Sequence, residues 1–470
     1  MKLRLPLVLG CLVVFFACIP TVDIGNFGPV HVRLYEVLAV LLFSVEIVKG
    51  SGARRNDPRV RRIFLFATLF LLVCFLSVVS AAYPVITIKQ GLLVLAFLVT
   101  GFSIGLSLRG EQEFKYFFLV LLIGSFIAYL FGYLQVLFPD SIGAETLISR
   151  GLTAQYTGYF FRPMSFFAEG NEFGVFIIFG SPFFVSGYLY GREVWMRRTS
   201  ALLLMFMLPL LFLNDSRGSI AALVVVVLLA VIIGRRYIRA RRKKSHRRLW
   251  GLALMTVLAI FVAVFYLSPM VPTFYQLSPD QWVVGRLLET GTSRDLTLVG
   301  RFLVMREGVD AFLSHPLLGV GLGNVFTVIS QFGYVPVYSA VGGLVDRGNA
   351  TTANFVVDIL AELGLLGITA FAALIYYVLK LSKLSRQIFV SNDGFYFAFG
   401  AFLSFVGILV NSLSYDAIYT PYFWIVIGFI IGSYRTAPRQ NWIRYPASAQ
   451  GKREAKGKFD NSQNEIDNIV

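Results

Sequence analysis

Four short stretches of this chain combine residue types that could do chemistry. "YFFRPMSFFAEGNEFG" (Tyr159 to Gly174) sets Arg162, Glu169, Asn171 and Glu172 among aromatic residues. "LFLNDSRGSI" (Leu211 to Ile220) brings Asn214, Asp215, Ser216 and Arg217 between two apolar runs. "VGRFLVMREGVDAFLSHPLLGVGLGNVF" (Val299 to Phe326) opens with Arg301, and "TTANFVVDILAELGLLG" (Thr351 to Gly367) carries Asn354, Asp358 and Glu362. The last three recur at i, i+4 and i+8, so they share one helix face. A guanidinium offers a planar donor fork suited to phosphate. Arginines from distant stretches, gathered at a membrane surface, would bind a polyanion held by a lipid, and a lipid-linked pyrophosphate fits that description. Lys89 adds a cation a little over one turn inside the outer end of its apolar run.

Each stretch also has a plainer reading. Aromatic residues form belts at headgroup level, and Asn and Glu cap helices. Asn, Asp, Ser and Gly form turns without any further role, and a lysine near a helix end snorkels to the interface. "GVGLGN" has the spacing of a dinucleotide-binding loop, but no strand precedes it and no βαβ unit follows, so it reads as a tight turn. His315, beside Pro316, reads as a turn or cap residue. Leu365 to Leu381 is just long enough to cross a bilayer. The acidic stripe before it is therefore either part of the span or an outer amphipathic helix ended by Gly364.

The elements that must position these residues are membrane helices. Of 470 residues, 57% are hydrophobic and 14% charged, and there are 45 Phe; soluble domains carry about 25% charged residues. Runs of about 20 apolar residues, each enough for one crossing, predict an all-α integral membrane protein of about twelve spans. They fall near 5–21, 33–49, 62–81, 84–108, 114–138, 172–190, 199–213, 218–234, 249–267, 354–380, 394–412 and 417–434. The runs are continuous rather than alternating, which argues against a membrane barrel. Lys2 and Arg4 before the first run suggest a signal peptide, but no small-residue cleavage site follows, and a retained helix is expected.

Lysine and arginine set the orientation. "GRRYIRARRKKSHRR" (Gly234 to Arg248), 50–62, 192–198 and 380–386 all fall on one side in a twelve-span arrangement. That side is the cytoplasm, and both termini lie there. The net charge of +16 is thereby assigned to topology and anionic lipid, not to nucleic acid. Cys11, Cys18 and Cys74 lie in apolar runs and indicate neither disulfide nor metal site. The expected organisation is N-terminal helices over 1–138, a first outer loop over 139–171 and central helices over 172–267. A large helical outer loop over 268–353, C-terminal helices over 354–434 and a disordered cytoplasmic tail over 435–470 follow. No fixed-period repeat is visible.

The blocks "NDSRGSIAAL", "GR...M...VDAFLSHPLLGVGLGNVF" and "TANFVVDILAELGLLG" resemble the signature blocks of the O-antigen ligase and O-antigen polymerase superfamily. "FFRPMSFFAEGNEFG" is similar to the arginine-proline block that precedes them. The resemblance covers roughly Arg162 to Gly367. It implies a GT-C-like, metal-independent glycosyltransferase of the bacterial inner membrane, without a cofactor. Such an enzyme takes glycan from undecaprenyl pyrophosphate on the periplasmic face and passes it to a glycan or lipid acceptor.

By the matching blocks, Arg217 and Arg301 take the pyrophosphate-binding role, and Arg162 and Glu169 line the same cavity. Lys89 and Asn354 join them as substrate-binding candidates. Ligases of this type carry a histidine directly before the asparagine of the last block; here that position is Ala353. The tryptophan of the third block is replaced by Met305. Both departures favour a polymerase over a ligase. Without that histidine, Glu169 is the first candidate for the base that deprotonates the acceptor, and Asp215 the second. A secondary transporter or lipid-linked glycan flippase is the alternative of another class. Such proteins usually show internal repeats and charges at the midplane, and neither is seen. A chain-length regulator stays open as a further partner.

Overall fold

The computed structural model describes residues 4–20, 23–27, 30–48, 57–138, 163–167, 170–214, 216–239, 296–325, 327, 352, 354–389, 394–415 and 419–436. The described helices are α1 (Leu5–Ala17), α2 (Leu34–Val48), α3 (Pro58–Leu76), α4 (Pro84–Ser107), α5 (Glu111–Leu137) and α6 (Gly170–Tyr190). They continue with α7 (Val194–Leu213), α8 (Arg217–Arg239), α9 (Leu296–Ser314), α10 (Phe355–Phe389), α11 (Phe395–Asn411) and α12 (Pro421–Thr436). A 3-10 turn, Ser77–Ser80, follows α3.

Helices coincide with every expected span except 249–267, which lies outside the described residues, as does 437–470 of the expected tail. Among the described residues, six helical segments are long and apolar enough to cross a membrane: Pro58–Ser80, Pro84–Ser107, Glu111–Leu137, Gly170–Tyr190, Val194–Leu213 and Phe355–Gln387. Others are shorter, α1 at 13 residues and α11 at 17, against the roughly 20 that a bilayer core requires.

Among the described residues, the fold departs from all-α at one place. Asp23–Phe27 (β1) pairs antiparallel with Val30–Arg33 (β2), joining α1 to α2, with Phe27 opposite Val30 and an irregularity between Asp23 and Gly25. The run "VHVR" is short and rich in β-branched residues; the apolar stretches either side dominate a hydropathy reading and hide it.

Local sequence explains the helix starts. Pro58, Pro84 and Pro421 each stand at the first helical position, where a missing N–H costs nothing. Asp57 caps α3 by accepting from the Arg59 N–H at 2.8 Å. The core is unusually aromatic. Phe176 and Phe179 of α6 lie 5.7 and 5.1 Å from the Tyr422 ring of α12, and Phe183 lies 5.3 Å from Phe397 of α11. α6 is enclosed along nearly its whole length, buried at every residue from Glu172 to Gly187. α4 and α12 cross at Gly101 and Gly428, where a side chain on either would lie 2.1 Å from a backbone oxygen of the other helix. Small residues permit this approach in membrane helices.

Gly364 breaks α10. Its φ of 61° and ψ of −158° separate Phe355–Leu363 from the long segment that begins at Leu365. The acidic stripe therefore belongs to a short helix of its own. Its residues Asp358 and Glu362 are buried, whereas Leu365 and Leu366, just past the break, are 45% and 46% exposed.

Candidate functional site

The turn joining α7 to α8 carries the second block, and it is built rather than merely connective. Asn214 is fully buried, and its Nδ2 donates to the Pro163 carbonyl at 2.8 Å. Ser216 and Ser219 share a hydrogen bond at 2.8 Å between their hydroxyls, and Asn411 Nδ2 donates to Ser219 Oγ at 3.2 Å. Gly218 sits so close to Ser414 that a Cβ would lie 1.7 Å from its hydroxyl. The first block (through Pro163) and the end of α11 thus meet around this turn.

The fourth block reaches the same place. The Phe355 N–H donates to Ser412 O at 3.0 Å, and Asn354 Nδ2 donates to Leu413 O at 3.1 Å. Arg217 and Asn354, 137 positions apart in the numbering of the sequence, therefore flank the one short turn Asn411–Ser414. Arg217 is the half-exposed first residue of α8. A helix N-terminus presents unsatisfied N–H groups and the positive end of the dipole. A guanidinium placed there makes a corner suited to an anion.

Asn354 has a clear local task. Its Oδ1 accepts from the Val356 and Val357 N–H groups at 3.0 and 3.3 Å, so it caps α10. With Nδ2 on Leu413, both ends of the amide fix the segment.

Arg301, half-buried, lies on α9. That helix crosses the start of α10 at Gly308, where a Cβ would come within 2.6 Å of Thr352 and 2.7 Å of Val357. Next to this crossing is Glu307, buried, with neither carboxyl oxygen hydrogen-bonded. Burial, and then the charge of Asp310, push its carboxyl above the usual range. The sequence reading passed over Glu307 because an acid beside an arginine in a helix looks like a solvated pair.

The "GVGLGN" segment is a clamp. Gly319, Gly321 and Gly323 have φ of 68°, 96° and 75°, a region open to glycine. The Val320 and Gly321 N–H groups donate to Ala361 O and Glu362 O at 2.8 and 3.1 Å, and the Leu365 N–H donates to Pro316 O at 2.8 Å. On its other side the segment grips the 3-10 turn that follows α3 and the start of α4. Leu322 N–H donates to Ser77 Oγ at 3.1 Å, the Tyr83 N–H to Asn324 Oδ1 at 2.9 Å, and Asn324 Nδ2 to Thr87 Oγ1 at 2.8 Å. His315 is exposed at the end of α9, with its Nδ1 2.9 Å from Ser314 Oγ.

Lys89 is exposed on α4, on the side away from Thr87 and its partner Asn324. Arg162, Glu169, Asp215 and Ala353 lie outside the described residues. Arg33 is a residue that the sequence reading missed. It ends the small hairpin, with its N–H on Glu36 at 3.1 Å and Nη1 3.5 Å from the Tyr35 hydroxyl. Its charge interacts with Glu172, at the start of α6. The one available signal was an arginine at the boundary of an apolar run, which topology alone explains.

Residues 201–372 match the family model described as O-antigen ligase. No curated protein matches this chain. The matched stretch runs from α7 through the break in α10 and contains Arg217, Arg301, the glycine clamp, Asn354 and the acidic stripe. The chain is thus a membrane protein whose residues 201–372 are similar to the O-antigen ligase family.

Proposed function

We propose that this protein is a glycosyltransferase that polymerises surface polysaccharide from undecaprenyl-pyrophosphate-linked repeat units. It works in the bacterial inner membrane, on the periplasmic face, with both termini in the cytoplasm. An acceptor hydroxyl attacks the anomeric carbon of the donor sugar. The bond from that carbon to the phosphate oxygen breaks, and undecaprenyl pyrophosphate leaves with its electron pair. Arg217, at the N-terminus of α8, and Arg301, on α9, stabilise the charge that grows on the leaving group. Arg162 lies one residue before Pro163, whose carbonyl Asn214 holds, and joins them. Lys89, exposed on its helix, meets phosphate from the membrane surface. Glu169 takes the acceptor proton, with Asp215 as the second candidate. Asn354 contributes by fixing the segment on which a ligase would carry its histidine.

One observation carries this reading: the polar blocks at 163, 214–219 and 354 are tied together around Asn411–Ser414, inside or beside the family match. A second reading, transfer of finished glycan to lipid A-core or another acceptor, is favoured by the ligase description of that match. Ala353, where ligases carry histidine, favours the polymerase.

The test is a strain deleted for the gene, complemented with wild type, Arg217→Ala or Arg301→Ala, with lipid-linked and surface glycans run on a sizing gel. Single lipid-linked repeats without long chains in the deletion strain are the expected result. Long lipid-linked chains that never reach an acceptor would make it a ligase. Normal glycans throughout would instead bring back a transporter.

A further inference from the structure

The acidic stripe holds more than a helix face. Asp358 and Glu362 lie one turn apart on α10, each only 3% exposed. Asp358 Oδ1 accepts from the Thr352 N–H at 2.7 Å, and Glu362 Oε2 accepts from the Tyr419 hydroxyl at 2.6 Å. The other oxygen of Asp358, Oδ2, is buried without a hydrogen-bond partner. Beside it is a cavity of about 10 Å³ whose lining includes Asp358, Glu362, Tyr419, Leu322 and Phe70. That is room for about one water, which needs two to four polar neighbours to be held.

The charges do not balance. No ion pair to either carboxyl is present among the described residues. The titratable side chains that face Glu362 from neighbouring elements are Cys74 of α3 and Tyr419, besides Asp358 itself. The main-chain N–H groups of Gly323 and Val325 also point at Glu362. Two anions one turn apart, buried among apolar side chains with no cation, are strongly disfavoured. A hard metal cation is a poor occupant, because it asks for about six oxygen ligands and here N–H groups face one of the few oxygens.

We propose that this cavity binds one water molecule, and that Asp358 and Glu362 hold a single proton between them through it. The site acts as a latch. Asp358 fixes Thr352, two residues before Asn354. Glu362 fixes the glycine clamp, which grips the turn after α3 and the start of α4. The proton and water let two acids do this in a dry interior. The inference does not depend on the reaction proposed above.

The test uses the full chain, purified in detergent, with Asp358→Asn, Glu362→Gln, Asp358→Leu and Glu362→Leu. An amide has the shape of a protonated acid and still bonds a water; leucine does not. Each single amide variant is expected to unfold within about 2 °C of wild type, and each leucine variant at least about 6 °C lower. Infrared difference spectra at pH 7 between wild type and Glu362→Gln or Asp358→Asn should show the loss of one protonated-carboxyl C=O band. That band should shift when the sample is moved into D₂O. Absence of any such band, amide variants as damaging as leucine, or leucine variants as stable as wild type would each overturn the proposal.

Discussion

Replacing Gly364 by alanine should break the junction between the short acidic helix Phe355–Leu363 and the long segment of α10 that begins at Leu365. At φ 61° and ψ −158° the backbone is in a region nearly reserved for glycine, and a non-glycine residue there costs about 1–3 kcal/mol. There is also no room: an added Cβ would lie 2.5 Å from both the carbonyl carbon and the oxygen of Leu317, and 2.7 Å from Pro316 O. Those are backbone atoms, so relief requires the 316–317 turn to move. Moving it loosens the bonds from Leu365 N–H to Pro316 O (2.8 Å) and from Leu366 N–H to Leu317 O (3.3 Å). Each such bond contributes about 0.5–1.5 kcal/mol. The total is roughly 2–6 kcal/mol, the sum of one strain term and two hydrogen bonds. Equilibrium unfolding in mixed detergent micelles reads this directly. Gly110→Ser is the matched control. No atom lies within 4 Å of a Cβ built there, and serine is favoured at the N-cap position that Gly110 holds, so its change should stay within about 0.5 kcal/mol. A Gly364→Ala protein as stable as the control would refute the account of the clamp.

Asn214→Ala should cost about 1–3 kcal/mol, because it leaves the buried Pro163 carbonyl without its donor, and the same unfolding assay measures it. Glu307→Gln should change little in acid and stabilise as pH rises. The folded carboxyl is held above the ordinary range by burial and Asp310, so wild type loses stability as pH climbs through that raised value; parallel unfolding midpoints that never diverge with pH would refute it. Arg217→Lys should fail to restore long glycan chains, because an ammonium lacks the fork that grips phosphate at two oxygens. Chain length on the sizing gel decides that case.

The helices were legible because apolar runs of membrane length leave few other readings, and the break at Gly364 was legible as one of two options. What joins the blocks was not. The turn Asn411–Ser414 reads as "NSLS", small polar residues between two spans, and nothing local says that it receives Asn354 from one side and Ser219 from the other. Those are tertiary hydrogen bonds spanning 59 and 192 positions, and hydropathy carries no information about them. The glycine clamp was recognisable as a turn, but its grip on Ser77, Tyr83 and Thr87 runs through the Leu322 N–H and the Asn324 side chain to partners 237 to 245 positions away, which no local pattern announces. Arg33 and Glu307 were hidden for a different reason: each has an ordinary explanation by position, and only the fold shows Glu307 to be buried and Arg33 to face the charge of Glu172. Arg162, Glu169 and Asp215 remain readings from sequence and resemblance.

The most direct test of the central claim is transfer by the purified protein in lipid nanodiscs, given an undecaprenyl-pyrophosphate-linked repeat unit. Released undecaprenyl pyrophosphate and glycan length should be followed together. The account predicts one pyrophosphate lipid released per repeat added. It also predicts a fall of roughly 10- to 100-fold in both for Arg217→Ala and for Arg301→Ala, the equivalent of one charge-assisted hydrogen bond of about 1.5–3 kcal/mol. Chain growth undiminished in both arginine variants would contradict it.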